Sequence, residues 1–135
     1  MTRFLLDTNA AADFVNRRHG VFDRARREVA TGNSIGIAMP VLAELVAGIE
    51  RSTSRDRNLK SLKAALGSLK LWPFDPPAAF EYGRLHAELA RIGRPIGVID
   101  TMIAAIAKTL GDCTVVSTDR DLLGVPGLTV ENWRS

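Results

Sequence analysis

The amino-acid sequence predicts an α/β domain built on a central parallel sheet of four to five strands. Two observations predict this fold. Short apolar runs alternate with longer segments in which apolar residues recur every three or four positions. Strands that alternate with helices in this way are typical of parallel sheets covered by helices. Because no repeat, low-complexity segment or linker interrupts the chain, we expect residues 1–135 to form one domain.

In the first half of the chain, glycine, proline and polar residues punctuate the apolar pattern. Gly32 and Asn33 tolerate the positive φ that ends a helix, and Pro40 suits the first turn of the next one. Ser52 to Ser54 can join two amphipathic helices in a hairpin. The elements predicted here are strand 3–6, helices 8–16 and 21–30, strand 34–39, a helix from Pro40 through Ile49, and helix 55–69.

The same alternation continues in the second half. Asp75, Pro76 and Pro77 resemble a helix cap followed by a first turn, and Gly93 to Pro95 interrupt the helix that they open. In that helix we expect four residues to face the core, namely Phe80, Leu85, Leu89 and Ile92. The elements predicted here are strand 71–74, a helix from Pro76 to Ile92, a strongly amphipathic helix from Val98 to Leu110, and strands 114–117 and 128–131.

The charge of the chain is compatible with a polyanionic partner. The net charge is +3, and residues 1–70 carry 12 Lys and Arg against 7 Asp and Glu. A basic surface beside acidic positions attracts a polyanion and still binds a divalent cation. On charge alone, two solvated helix faces are the better explanation of the same residues. The basic clusters are Arg17, Arg18, Arg24, Arg26 and Arg27, and Arg51, Arg55, Arg57, Lys60 and Lys63.

Cysteine usage and hydropathy indicate the compartment. The single cysteine, Cys113, cannot form an internal disulfide, which suits a reducing environment. The apolar run within residues 1–9 is too short for a secretory signal, and no run is long enough to cross a bilayer. We therefore expect a cytoplasmic protein with no membrane partner.

Four acidic residues that are far apart in the sequence are predicted to meet at one edge of the sheet. Asp7 ends the first strand, and Asp119 closely follows strand 114–117. Asp100 lies in the first turn of a helix, and Glu44 lies one turn into the helix after the second strand. Because ligands of parallel sheets gather at the carboxyl ends of the strands, this edge is the candidate site.

Each acid also has an ordinary structural explanation. Asp7 can be an N-cap, Asp100 can complement a helix dipole, and Asp119 and Asp121 can form turns. Glu44 can be a solvated side chain. Their joint placement favours a metal site, because clustered like charges repel unless a cation intervenes.

The ligand chemistry favours a hard cation. A cluster of carboxylate oxygens suits Mg²⁺ or Mn²⁺, whereas zinc favours histidine or cysteine. Neither histidine has zinc-binding spacing: we expect His19 in a loop or at a helix start and His86 at the edge of the core.

Five segments, taken in order, resemble the motifs of PIN-domain proteins and of VapC-type toxins from bacterial toxin–antitoxin pairs. Their order and spacing carry the resemblance, which covers essentially the whole chain. The segments are Phe4 to Asn9, Pro40 to Leu45 with Gly48 and Ile49, Gly93 to Gly97 with Asp100 and Ile103 to Ala105, Ser117 to Leu122, and Val125 to Leu128 with Glu131 to Trp133.

The resemblance implies a three-layer α/β/α PIN fold and a Mg²⁺-dependent endoribonuclease acting on structured RNA such as tRNA. It also implies a VapB-type antitoxin partner and a homodimer. Asp7 and Asp100 match the principal metal ligands, and Asp119 and Glu44 complete the acidic quartet, with Asp119 as a further metal ligand. Asp121 is a second acid whose share relative to Asp119 stays open. The supporting polar residues are Thr8, Asn9, Ser117 and Thr118.

Two residues depart from the family pattern. Leu122 stands where such proteins often have an aromatic residue, and Val98 replaces a more polar residue or proline.

The sequence leaves two alternatives to this interpretation. The first alternative is a catalytically silent PIN-like module that binds RNA or protein. The second is a phosphate-transfer protein with Asp7 as nucleophile, which is weaker because Asp7-Thr8-Asn9 lacks a second aspartate.

Overall fold

The computed structural model describes residues 1–135, and strands alternate with helices as predicted. The strands are β1 (Arg3–Leu6), β2 (Ser34–Ala38), β3 (Lys70–Trp72), β4 (Cys113–Val116) and β5 (Thr129–Glu131). The helices are α1 (Thr8–Val15), α2 (Val21–Ala30), α3 (Met39–Glu50), α4 (Arg55–Leu66), α5 (Pro76–Arg91), α6 (Val98–Leu110) and α7 (Arg120–Leu123).

The five strands form one parallel sheet in the order β3-β2-β1-β4-β5. The three inner strands are almost entirely buried, as strands covered by helices on both faces must be. In the centre, Leu6 pairs with Ile37 on one side and with Val116 on the other. The edge strands have three residues each and are more exposed, which limits edge-to-edge pairing with other chains. The predicted α/β/α fold is therefore confirmed.

The predicted core face of α5 is partly wrong. Phe80 is 82% exposed and Ile92 is 45% exposed, whereas Ala78, Leu85 and Leu89 are buried. The buried stripe is therefore narrower than the apolar pattern suggests. His86, expected at the edge of the core, is exposed and stacks on Tyr82 with 6.0 Å between ring centroids.

Several boundaries differ from the prediction by one to three residues: β2 ends at Ala38 rather than at residue 39, and β3 spans Lys70–Trp72 rather than 71–74. Helix α4 ends at Leu66, and the amide of Gly67 bonds to the carbonyl of Ala64. Helix α7, a single turn after Asp119, has no counterpart in the prediction, because four residues are too few to show a helical period. None of the helices combines the length and apolarity needed to cross a bilayer.

Candidate metal centre

The candidate site lies where β1 and β4 end side by side. The amide of Asp7 continues the sheet by donating to the carbonyl of Val116 at 3.1 Å. The next residue of that chain segment, Ser117, donates its hydroxyl to Oδ2 of Asp7 and accepts from the amide of Asp119 at 2.9 Å. The parallel pairing of two strands therefore fixes Asp7, Ser117 and Asp119 relative to one another.

Asp7 caps a helix and also lines the site. Its Oδ1 accepts from the amide of Ala10 at 2.8 Å, so the N-cap interpretation is correct. The carboxylate is 4% exposed and lines the central cleft. The pKa of Asp7 is raised overall, because burial outweighs the other effects. The hydrogen bonds from Ser117 and Ala10 lower this pKa, and the negative charge of Asp119 raises it further. Each oxygen keeps a second lone pair with which it can bind a cation.

Asp100 experiences the negative charge of the other acids most strongly. It lies half-buried in the first turn of α6, where the helix dipole favours a carboxylate. Burial, followed by repulsion from Asp119, Asp7, Asp121 and Glu44, raises the pKa of Asp100 to about 6. The fold therefore brings together all four members of the predicted quartet, and Asp121 with them.

The tightest group of carboxylates is Asp100, Asp119 and Asp121. One oxygen from each lies within 4.8 Å of the others. Asp119 is the N-cap of α7 and accepts from the amide of Asp121 at 2.8 Å, so it too combines a turn-forming role with a place in the site. Asp7 lies outside this tightest group, although the sequence matched it to a principal metal ligand.

Glu44 lies on α3 and lines the same cleft. Its Oε1 accepts a hydrogen bond from the hydroxyl of Thr8, which fixes an otherwise exposed side chain. The two residues share a cleft of about 590 Å³ with the other acids. The cleft is lined by Asp7, Thr8, Asn9, Glu44, Ala47, Arg51, Gly97, Val98, Ile99, Asp100 and Asp119.

The supporting polar residues fall into two places. Thr8 and Asn9 line the cleft, and Ser117 binds Asp7 beneath it. Thr118 instead lines a much smaller cavity beside Asp13.

The donor set fits a hard divalent cation. Each acid presents carboxylate oxygens, and neither His19 nor His86 lines the cleft. Several like charges in one partly buried cleft are costly without a cation, and oxygen ligands suit Mg²⁺ and Mn²⁺. Asp100, Asp119 and Asp121 have carboxylate oxygens close enough together to hold one such ion, and Asp7 lines the same cleft as Asp100 and Asp119.

Sequence reasoning missed an ion pair beneath this centre. Asp13, 4% exposed on α1, accepts from Nε of Arg134 at 2.9 Å and from Nη2 at 3.4 Å. The signal was an aspartate between the apolar residues Ala11 and Phe14, because a charge on a buried helix face needs a partner.

Magnesium affinity should depend on pH through Asp100. The pKa of this carboxyl is about 6, so it takes up a proton as the pH falls through that value and loses its capacity to bind a cation. We expect the Mg²⁺ affinity to decrease by up to about tenfold per pH unit below pH 6, and to change little between pH 7 and 8. Calorimetric titration at pH 5, 6, 7 and 8 measures this. An affinity that stays constant down to pH 5 contradicts the prediction.

Comparison with known proteins agrees with this geometry. The family model described as the PIN domain matches residues 4–128. The chain is 34% identical over 133 residues to the tRNA(fMet)-specific endonuclease VapC of Salmonella typhimurium, covering 98% of this chain and 99% of the relative.

Solved structures also show that the chain is similar to VapC-type proteins. The chain is similar to a chain of VapBC2 from Rickettsia felis bound to a fragment of promoter DNA, with TM-score 0.89 and 30% identity. It is also similar to a chain of DNA-bound VapBC from Salmonella typhimurium, with TM-score 0.88 and 32% identity. Each match covers 98% of this chain and 99% of the other. The chain therefore belongs to the PIN-domain family and, within it, to the VapC-type ribonucleases.

Proposed function

We propose that this VapC-type ribonuclease is a Mg²⁺-dependent endonuclease that hydrolyses phosphodiester bonds of structured RNA, with tRNA as the substrate class. The observation that carries the proposal is the position of Asp100, which shares one cleft with three other carboxylates and lies next to Asp121. A phosphodiester is anionic, so these residues repel it unless a cation lies between them. The name of the Salmonella typhimurium relative, a tRNA(fMet)-specific endonuclease, supports the choice of tRNA.

The acidic residues are assigned different roles in the reaction according to their burial and hydrogen bonds. Asp7 and Asp100 would hold the ion together with Asp119. The bound ion supplies a lowered pKa for a water molecule and offsets the charge of the phosphoryl oxygens. Glu44 is exposed to solvent at the cleft and is held by Thr8, so it would orient the attacking water molecule and accept its proton. Asp121 is close enough to Asp119 to share or replace its role.

The proposal includes a toxic role in the cytoplasm together with a VapB-type antitoxin. The two solved complexes described above are VapBC assemblies, which supports this partner. Homodimerisation rests on the family resemblance and is tested by sedimentation equilibrium of the purified chain.

Removing divalent metal should stop RNA cleavage. The carboxylates cannot bring a phosphodiester close without a cation, so excess EDTA should reduce tRNA cleavage to background, and Mg²⁺ or Mn²⁺ should restore it. Gel analysis of tRNA after incubation with the enzyme measures this. Undiminished cleavage in EDTA excludes the metal mechanism. Absence of cleavage under all metal conditions supports the alternative of a silent binding module.

A further inference from the structure

A second cavity, of about 270 Å³, lies next to the acidic group and contains two arginines. Arg94 comes from the loop between α5 and α6, and Arg120 is the first residue of α7. Asp121 lines this cavity and also belongs to the tightest carboxylate group. The cavity and the candidate metal centre are therefore immediate neighbours. The other lining residues are Leu89, Pro95, Ile96 and Gly124.

Neither guanidinium in this cavity is neutralised by the protein. The ion pairs of the chain involve other arginines, namely Arg24, Arg55, Arg84 and Arg134. Asp121 lies in the same cavity but forms no ion pair with Arg94 or Arg120. Both side chains are exposed and unpaired, so both guanidinium groups are available to a bound anion.

The backbone around Arg94 holds the residue in place. Its amide donates to the carbonyl of Leu89 at 2.8 Å, which anchors the loop to the end of α5. Its Nη1 lies over Gly124, where an added Cβ would come within 3.3 Å of that nitrogen. The absence of a side chain at Gly124 therefore leaves the space that the guanidinium occupies.

We propose that Arg94 and Arg120 bind a backbone phosphate of the RNA adjacent to the phosphate that is cleaved. This inference rests on the proposed cleavage of RNA at the carboxylates. Arginine binds phosphate through two parallel hydrogen bonds, so the pair sets the register of the strand as well as its affinity. Arg51 lines the cleft beside Glu44 and is also free of ion pairs, so unpaired cations flank the carboxylates at two places.

Proximity favours a phosphate of the same strand over other anions. When one phosphodiester occupies the metal centre, its neighbour reaches Arg94 and Arg120 at a high effective concentration. The acidic group repels any anion unless a cation is bound there. An RNA strand carries a phosphate at every nucleotide, so it can place one phosphate on that cation and the next at the two arginines. The charges of the two sites together therefore favour a nucleic-acid strand.

The test compares Arg94→Gln, Arg120→Gln and Arg94→Lys with the control Arg91→Gln. Arg91 is an exposed residue at the end of α5 that does not line the cavity, so its replacement removes the same charge. Binding of unfractionated tRNA is measured over a range of monovalent salt concentrations at one fixed Ca²⁺ concentration, so that a cation with the same preference for oxygen ligands occupies the carboxylates. Loss of Arg94 or Arg120 should weaken binding by about tenfold and reduce the slope of log K against log salt by about 0.7–0.9.

The two other variants should behave differently. Arg91→Gln should leave the salt slope unchanged, and Arg94→Lys should keep the slope while losing part of the affinity, because lysine lacks the bidentate geometry. If Arg94→Gln and Arg120→Gln match Arg91→Gln in slope and affinity, the phosphate site is wrong. If they lose affinity for the antitoxin at unchanged affinity for tRNA, the arginines bind the partner instead, and the proposal is equally wrong.

A separate measurement distinguishes a failure of the phosphate-site proposal from a failure of the proposed nuclease function. Cleavage of the same tRNA in Mg²⁺ is compared between the wild type and Asp100→Asn. If only Asp100→Asn fails to cleave and the arginine variants bind normally, the phosphate site is wrong and the nuclease proposal stands. If Asp100→Asn cleaves like the wild type, the nuclease proposal fails, and the salt slopes still decide whether Arg94 and Arg120 bind phosphate.

Discussion

Replacing Asp100 with asparagine should abolish RNA cleavage and, at the same time, make the metal-free protein more stable. The amide keeps the shape of the side chain but removes the charge that holds a cation. A bound cation contributes several kcal/mol to transition-state stabilisation, so the cleavage rate should decrease on the order of 10³-fold or more. Single-turnover cleavage of tRNA in Mg²⁺ measures this.

The gain in stability follows from the electrostatic surroundings of Asp100. Burial and the four neighbouring carboxylates raise its pKa to about 6, above the value in an unfolded chain. A raised pKa means that the folded state disfavours the charged form, so stability is lost as the pH rises through 6. At pH 7.5 in EDTA, Asp100→Asn should increase the free energy of unfolding by about 1–2 kcal/mol, a value reduced for solvent screening. Near pH 4 the gain should disappear.

Asp23→Asn provides the matched control. Asp23 occupies the first turn of α2 as Asp100 occupies the first turn of α6, but Asp23 is exposed and does not line the cleft. Its replacement should leave cleavage unchanged and reduce stability slightly through the helix dipole. If Asp100→Asn behaves like Asp23→Asn in urea unfolding and in cleavage, Asp100 is only a dipole complement.

Topology explains why the acidic residues could be predicted from the sequence. Asp7 and Asp119 follow β1 and β4, which are neighbours in the sheet, and the carboxyl ends of parallel strands share an edge. Their ordinary roles as caps do not compete with a position at the candidate site, since Asp7 and Asp119 cap helices and also line the cleft. One sequence pattern therefore encodes the local turn and the convergence of charge.

The sequence could not separate the basic residues that face the cleft from those that do not. In the structure, Arg24 pairs with Glu28 and Glu131, and Arg55 pairs with Glu50 and Asp56. Arg51, from the same basic cluster as Arg55, lines the cleft. Whether an arginine lines the cleft or forms an ion pair depends on the side of the helix from which it projects and on where the acidic partners lie in the folded chain.

The sequence also could not predict the positions of Phe80, Arg94 and Arg120, because each depends on how distant elements pack. Phe80 fits the apolar pattern of α5, yet the buried stripe of that helix is too narrow to include it. Arg94 and Arg120 are separated by the whole of α6 and β4, and only the fold brings them to one cavity.

The second large effect is expected from Arg134→Met. The change leaves the carboxylate of Asp13, whose side chain is 6% exposed, without a partner in the protein interior. Removing one member of a buried ion pair is strongly destabilising, and because Arg134 is itself 42% exposed we expect a loss of about 2–3 kcal/mol. Urea unfolding at neutral pH measures the difference.

Two further variants distinguish burial from charge removal. Arg84 pairs with Glu81 and Glu88 on the surface of α5, so Arg84→Met should change stability by less than about 1 kcal/mol. Adding Asp13→Asn to Arg134→Met removes the unpaired charge and should restore at least half of the lost stability. Equal losses for Arg84→Met and Arg134→Met contradict the buried pair.

Arg134 also connects the stability of the fold with the metal centre. Burial raises the pKa of Asp7, and the positive charge of Arg134 opposes that shift. The same positive charge repels a cation bound at Asp7, so Arg134→Met should modestly strengthen Mg²⁺ binding while it weakens the fold. Adding Asp13→Asn removes a negative charge from the same ion pair, so the double variant should recover stability and return the Mg²⁺ affinity towards that of the wild type, as measured by calorimetric titration at pH 7. If Arg134→Met binds Mg²⁺ no more tightly than the wild type, Arg134 only supports the fold, and the charge it contributes does not reach Asp7.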